Sequence, residues 1–564
     1  MRKREETLAR VSTDSYDLCV IGGGATGAGC ALDAQLRGLK TVLVDRGDFG
    51  SATSTASTKL IHGGLRYLEL AVKELDVAQY RVVRTALRER SRMMRNAPYL
   101  TRSRLLAVPC HSLAQALYSR IGIMFYDWLS GTTLLAPSYF LNRRACLKEM
   151  PWLNPDRLFG AVIYSDGQFD DGRYNFALVQ SFVAAGGDAL NYAPVCGFEK
   201  NQNGAVVAAH AQDASSGTAC KVHARAFVNA TGPFSDQVRR YAVPKLSKRL
   251  RQSKGVHILL PLREDWGDRG LLIPATEDGR VIFSIPWMGR LLVGTTESES
   301  DPGEEMIVTK AEAEFLLRHV NRYLVRPFDL SDIVTAIAGM RPLIQPADAR
   351  DSKKIARDYE IEVEPQSGLI SVLGGKWSLY RVMAEDAVNA VELRLRGTTS
   401  RCRTQNYALF GADREEDDIK EDLLARYAVE PATIDHLVKK FGSRARDVLE
   451  LADNEPQWLE LLVEGAPYRC AEAVYCARQE MVTSLEDLLS RRLGIEQFDW
   501  RMALRAAAVA AGMLADELGW NGSRTQEEIS LYTARIHRFL HEIGACAPGE
   551  ERVDHGANEQ SKEW

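Results

Sequence analysis

Three kinds of side chain in this sequence stand where chemistry is possible. Arg66, Arg341 and Arg357 occur in HGGLRY, GMRP and ARDY. A guanidinium binds phosphate oxygens in pairs and stays charged at any ordinary pH. Arg66 and Arg341 sit in glycine-flanked turns after apolar segments, a better place for anion capture than a solvated face. His257, in the strand-like SKGVHILLP, and His62, ahead of two glycines, are the residues suited to accept a proton near neutrality. His62 has the alternative role of hydrogen-bonding backbone to hold its turn. In GGKWSLYR a glycine turn enters an amphipathic helix, so Lys376 and the positive end of the helix dipole act together on developing negative charge. Tyr67 offers a hydroxyl, and Thr295 and Thr296 follow the strand RLLV as polar contacts. The chemistry is capture of a dianion, removal of a proton and stabilisation of negative charge.

Such groups need a scaffold, and the N-terminal end supplies one. The strand YDLCVI runs into GGGATGAG, and a second strand, TVLVD, follows. Gly22, Gly24 and Gly27 fit G-x-G-x-x-G: a tight turn, close approach of a pyrophosphate, and close packing of helix on strand. The helix that follows presents free N–H groups to phosphate. Asp45 ends the second strand about 20 residues on, where a carboxylate accepts from ribose hydroxyls. Downstream, the strand RAFVNA ends in ATG beside the first strand, and no second G-x-G-x-x-G occurs. One dinucleotide site points to FAD reduced directly by a small substrate, without a nicotinamide partner.

The strings ASTKLIHGGLRYLE, NATGP, IPW, GTT, GMRPL, ARDYEIE and GGKWSLYR occur in the order seen in FAD-dependent, quinone-reducing glycerol-3-phosphate dehydrogenases, which the chain resembles from about residue 14 to 395. EMVTSLEDLLSRR resembles that family's C-terminal domain. The resemblance implies an α/β fold: a Rossmann-like FAD-binding domain of the D-amino-acid-oxidase-like type, an antiparallel-sheet substrate cap and an all-α C-terminal domain. It places the cofactor against Thr53, Ser54, Ser57, Lys59, Leu60, Val195, Ala230, Gly232, Gly375, Lys376, Trp377 and Ser378. The substrate falls among Arg66, Tyr67, His257, Thr295, Thr296, Arg341, Arg357 and Lys376, with His257, His62, Arg341 and Lys376 in catalysis. It also implies membrane quinone as acceptor, peripheral association with the cytoplasmic face and a homodimer. Trp377 and Leu379 stand where the family usually has Leu and Thr, and Glu297 where Asp is common. A longer polyol phosphate such as erythritol phosphate, or oxygen as the acceptor, therefore stay open.

The expected domains are 14–95, 155–245 and 338–398 for FAD, 96–154 and 246–337 for the cap, and 412–545 for the helical region, with 546–564 a polar, disordered tail. Asn-Gly in KNQNGAVV marks a hairpin. At 564 residues and net charge −4, the chain is multidomain and not broadly basic, which weighs against nucleic acid as partner. Ten cysteines without a Cys-x-x-Cys pair imply neither a metal site nor a disulfide framework. The N-terminus has no secretory pattern and no apolar run is long enough to span a bilayer. Residues 81–104 hold eight arginines against one acid. They form either a solvated face or, with the nearby apolar IGIMFYDWL, a surface for anionic lipid.

Overall fold

The apolar run after Ser15 forms the strand Ser15–Ile21, its last four residues buried. Strands of this kind need cover on both faces and so favour a parallel sheet flanked by helices. In the computed structural model, which describes residues 1–64, 77–274, 276–277, 279–345, 359–453 and 455–545, that sheet has eight strands. Ile370–Gly374, Ala219–Asn229, Ser15–Ile21, Thr41–Val44 and Asp188–Leu190 lie parallel in that order. Tyr359–Val363 closes one edge antiparallel. The expected hairpin is present: Val195–Lys200 and Val206–Gln212 pair on either side of the Asn-Gly turn, where Gly204 takes φ +84°. Helices Ala25–Leu36, Asp171–Ala184 and Tyr380–Arg396 pack on one another over the sheet.

A second sheet of ten strands forms the cap. It is antiparallel except where Gly270–Ile273 runs beside Thr101–Cys110. The long ladder between Leu250–Pro261 and Thr335–Ile344 sets His257 opposite Ile337 and Arg341 opposite Ser253. Because strand side chains alternate with period two, 253 and 257 share a face, and Arg341 and His257 therefore project to the same side. Gly160–Phe169, expected in the nucleotide-binding segment, pairs along its full length with Thr101–Cys110 and belongs to this sheet, as does Leu60–Ile61. The nucleotide fold resumes at helix Asp171–Ala184.

From Glu416 onward the chain is helical, ending in Trp500–Leu518 and Gly522–Ile543. These helices share one continuous apolar core with the cap sheet. No helix among the described residues is long and apolar enough to cross a membrane.

Candidate active site

The glycine turn has the shape its sequence demands. Gly22 holds φ +105°, and a Cβ there would lie 2.6 Å from the Ala230 carbonyl oxygen. A Cβ on Gly27 would fall 1.7 Å from the Gly22 carbonyl oxygen, so the helix can approach the strand only without one. Gly24 is the N-cap of helix Ala25–Leu36 and lends it no side-chain cap; Ser54 Oγ accepts the first helical N–H, that of Ala25, at 3.0 Å. Asp45 accepts N–H bonds from Gly23 and, at 2.9 Å, from Gly47. Burial raises its carboxyl pKa to about 6. Ala193 N donates to the Asp45 carbonyl, which brings Val195 beside the same strand end. Ala230 N donates to the Ile21 carbonyl, and Gly232, at φ +55°, follows it. A glycine cradle that a Cβ would fill, a helix start beside it and a buried carboxylate at the end of the second strand fit the FAD that the sequence implies.

Beyond this turn lies a cavity of about 1450 Å³, wide enough for a flavin ring and a small substrate together. Three glycines of the cap carve it. A Cβ on Gly255 would meet the Arg341 guanidinium, one on Gly294 the His257 ring, and one on Gly339 the Ala56 methyl. Arg341 Nη2 donates to Thr295 Oγ1 at 2.8 Å and Nη1 to the Thr296 carbonyl at 3.3 Å, which fixes its fork in the cavity wall. The Thr296 hydroxyl accepts Val256 N at 3.1 Å. His257 is 1% exposed, with Nε2 3.0 Å from Thr58 Oγ1. Its Nδ1 is sealed off, with no hydrogen-bond partner. Burial, then the charges of Arg341 and Lys59, push its pKa down to about 3. Burial, with Lys376 and Arg90, lowers His62 to about 4. Both imidazoles are neutral at physiological pH.

Gly375, Lys376, Trp377 and Ser378 line the same cavity from the start of helix Tyr380–Arg396, as Thr53, Ser57 and Leu60 do from the loop before the cap. Trp377, the departure from the usual family pattern, donates Nε1 to the Ser54 carbonyl at 2.8 Å and meets Phe169, Tyr174 and Tyr380 edge-on. Ser54 Oγ accepts Ala25 N. Lys59 is placed otherwise: its ammonium is buried against Asp171, and it does not line the cavity. Arg66, Tyr67 and Arg357 lie outside the described residues, as does the tail 546–564. Sequence reasoning missed Thr58, although it stands in the Ser/Thr run before HGG. It also missed Asp166, a buried cavity residue that pairs with Arg90 at 2.7 Å and accepts the Tyr126 hydroxyl. The parity of a ten-residue strand gave no hint of that role.

Residues 17–381 match the FAD dependent oxidoreductase family, and residues 402–525 match the C-terminal domain of alpha-glycerophosphate oxidase. Fold, glycine cradle and cavity thus define an FAD-dependent oxidoreductase. The mitochondrial glycerol-3-phosphate dehydrogenases of Bos taurus and Rattus norvegicus are 36% and 37% identical, over 98% of this chain and 77% of each relative. The FAD complex of the glycerol-3-phosphate dehydrogenase from Bacillus halodurans superposes with a TM-score of 0.77 at 28% identity, covering 97% of this chain and 99% of that one. The chain belongs to the family of FAD-dependent glycerol-3-phosphate dehydrogenases.

Proposed function

We propose that this protein oxidises sn-glycerol 3-phosphate to dihydroxyacetone phosphate and passes the electrons to a membrane quinone. The observation that carries the reading is one cavity joining Arg341, a neutral His257 and Lys376 at a helix start, next to a dinucleotide cradle. When bound, FAD supplies the hydride acceptor. Gly22, Gly24, Gly27 and Asp45 would hold its dinucleotide end, and Gly375–Ser378 with Thr53, Ser57 and Leu60 would receive its ring in the cavity they line. Arg341, oriented by Thr295, takes the phosphate, together with Arg66 and Arg357. Since Nδ1 of His257 is sealed, the hydroxyl proton leaves through Nε2 by way of the Thr58 hydroxyl. A dianion on Arg341 offsets the charge that lowers the His257 pKa, so the base strengthens when substrate arrives. Lys376 and the N–H groups at its helix start would stabilise developing negative charge.

The acceptor side follows from the cavity's second wall. Tyr118, Ile121, Gly122 and Phe125 of helix Leu113–Ser130 line it, while Leu113, Leu117, Ile121, Met124 and Trp128 form an exposed apolar stripe on that helix. The neighbouring helix Val77–Asn96 presents Arg81, Arg84 and Arg88 to solvent. Its Arg90 instead pairs with Asp166 and Arg92 with Glu89, so only part of the basic run faces outward. An apolar stripe beside exposed arginines suits peripheral attachment to an anionic bilayer on its cytoplasmic face, with an apolar acceptor entering along the stripe.

Anaerobic flavin bleaching tests the proposal. Glycerol 3-phosphate bleaches the holoenzyme, and added ubiquinone analogue restores the colour faster than air. Bleaching only by four-carbon polyol phosphates would reassign the substrate, and faster recovery in air would make the protein an oxidase.

A further inference from the structure

The loop Gly47–Leu60 touches every part of the site. Ser54 accepts an N–H at the start of the glycine-turn helix, and Thr53 Oγ1 donates to the Met340 carbonyl at 2.6 Å on the cap. Trp377 binds the Ser54 carbonyl, and Thr58 meets His257. Both ends of this loop are held by residues more than 400 positions away. Asp48, 1% exposed, accepts Arg491 Nε at 2.7 Å and both terminal nitrogens of Arg492 at 2.8 Å. Lys59, with φ +59° and no exposed surface, gives its ammonium to Asp171 at 2.5 Å, the Thr55 carbonyl at 2.9 Å and Gln497 Oε1 at 3.0 Å. Left-handed backbone at a non-glycine residue persists only where the surroundings fix it. Asp171 Oδ2 also accepts Ser57 N, so the same cluster sets the loop's main chain.

We propose that the C-terminal helical domain latches the cofactor loop, with Arg491 and Arg492 fixing its first end through Asp48 and Gln497 its last end through Lys59. Arg491, Arg492 and Gln497 are then positioning residues, since none of them lines the cavity. The inference rests on the FAD reading of the site and gives the helical domain a task there: retention of the cofactor. The neutral Gln497 amide completes the shell of the ammonium without setting a second carboxylate beside Asp171, whose mutual repulsion in a buried site would weaken the latch.

The test measures FAD release from the diluted holoenzyme by the return of flavin fluorescence. Gln497→Met keeps the length of the side chain and removes the acceptor. It releases FAD about tenfold faster, on the scale expected for a hydrogen bond to a charged group. Leu514→Ala, in the buried core of the helical domain, lowers the melting temperature and leaves FAD release at the parental rate. Release from Gln497→Met at the parental rate would overturn the latch, as would equal loosening by Leu514→Ala. A parental protein that takes up no FAD would defeat the functional reading itself.

Discussion

At the scale of single residues, the proposed chemistry narrows to His257, Thr58 and Arg341. Thr58→Val removes the hydroxyl 3.0 Å from Nε2 and lowers kcat by about 100-fold or more, the usual worth of positioned acid–base catalysis. Thr58→Ser keeps most of it, and the KM for glycerol 3-phosphate moves little in either variant. Retention of kcat by Thr58→Val would remove the relay. Because burial and Arg341 hold the free imidazole near 3, kcat/KM shows no His257 acid limb at the ordinary histidine value of about 6.5. Arg341→Ala costs about 2–5 kcal/mol in kcat/KM, the range for truncating one partner of a buried charged contact. If the dianion strengthens the base, glycerol with added phosphite is turned over with a higher kcat than glycerol alone. Steady-state kinetics with the two added separately and together decides it.

At the scale of elements, each helix and strand around the site has a local reason for its position. The approach of helix Ala25–Leu36 to strand Ser15–Ile21 depends on Gly27, whose Cβ would overlap the Gly22 carbonyl oxygen. Gly27→Ala therefore yields protein that purifies without flavin colour, read from the visible spectrum. Helix Leu113–Ser130 has an inner face as specific as its outer one is apolar. Its Tyr126 hydroxyl accepts Gly63 N at 2.7 Å and donates to Asp166 at 2.9 Å, tying this helix to the His-Gly-Gly turn. The outer stripe is the proposed membrane-docking element. Replacing Leu117 and Met124 together by Glu abolishes co-sedimentation with anionic vesicles, because each charge must otherwise be buried in lipid. Dye-linked oxidation of glycerol 3-phosphate in detergent is unchanged by that pair. Persistent vesicle binding would place the docking surface elsewhere.

Across the whole molecule, buried ion pairs join what the sequence keeps far apart. Arg173 meets Glu480 through two bonds of 2.7 and 2.9 Å, Arg381 meets Glu89, and Asp48 meets the Arg491–Arg492 pair. Such pairs contribute little over apolar contacts but cost several kcal/mol when broken on one side. The two neutral histidines set a pH dependence. Their folded pKa values, about 4 and about 3, lie below the unfolded value of 6.5. They thus contribute stability that is present above 6.5 and lost as pH falls through the folded values. The urea midpoint of the holoenzyme declines from pH 6.5 toward 4, and His62→Gln with His257→Gln makes that decline shallower. A decline of equal steepness in the double variant would assign the acid sensitivity to other groups.

The nucleotide half was legible because its constraint is local. A G-x-G-x-x-G must sit between a strand and a helix, and Gly22, Gly24 and Gly27 do. Arg341 and Lys376 were nominated by residue type and flanking glycines, His257 by residue type and the family resemblance, and the structure brings them to one cavity. What the sequence did not announce is tertiary. Strand Gly160–Phe169 joined the cap because its partner is Thr101–Cys110, a pairing set by registry across some fifty residues of chain. Lys59 turned from the cofactor side toward Asp171 and Gln497 because a buried ammonium goes where acceptors converge. Sequence alone determined the class of ligand and the kind of chemistry, since those follow from side-chain types at short spacing. Only the folded chain decided which loop touches His257 and which distant domain holds that loop, since both depend on contacts between segments hundreds of residues apart.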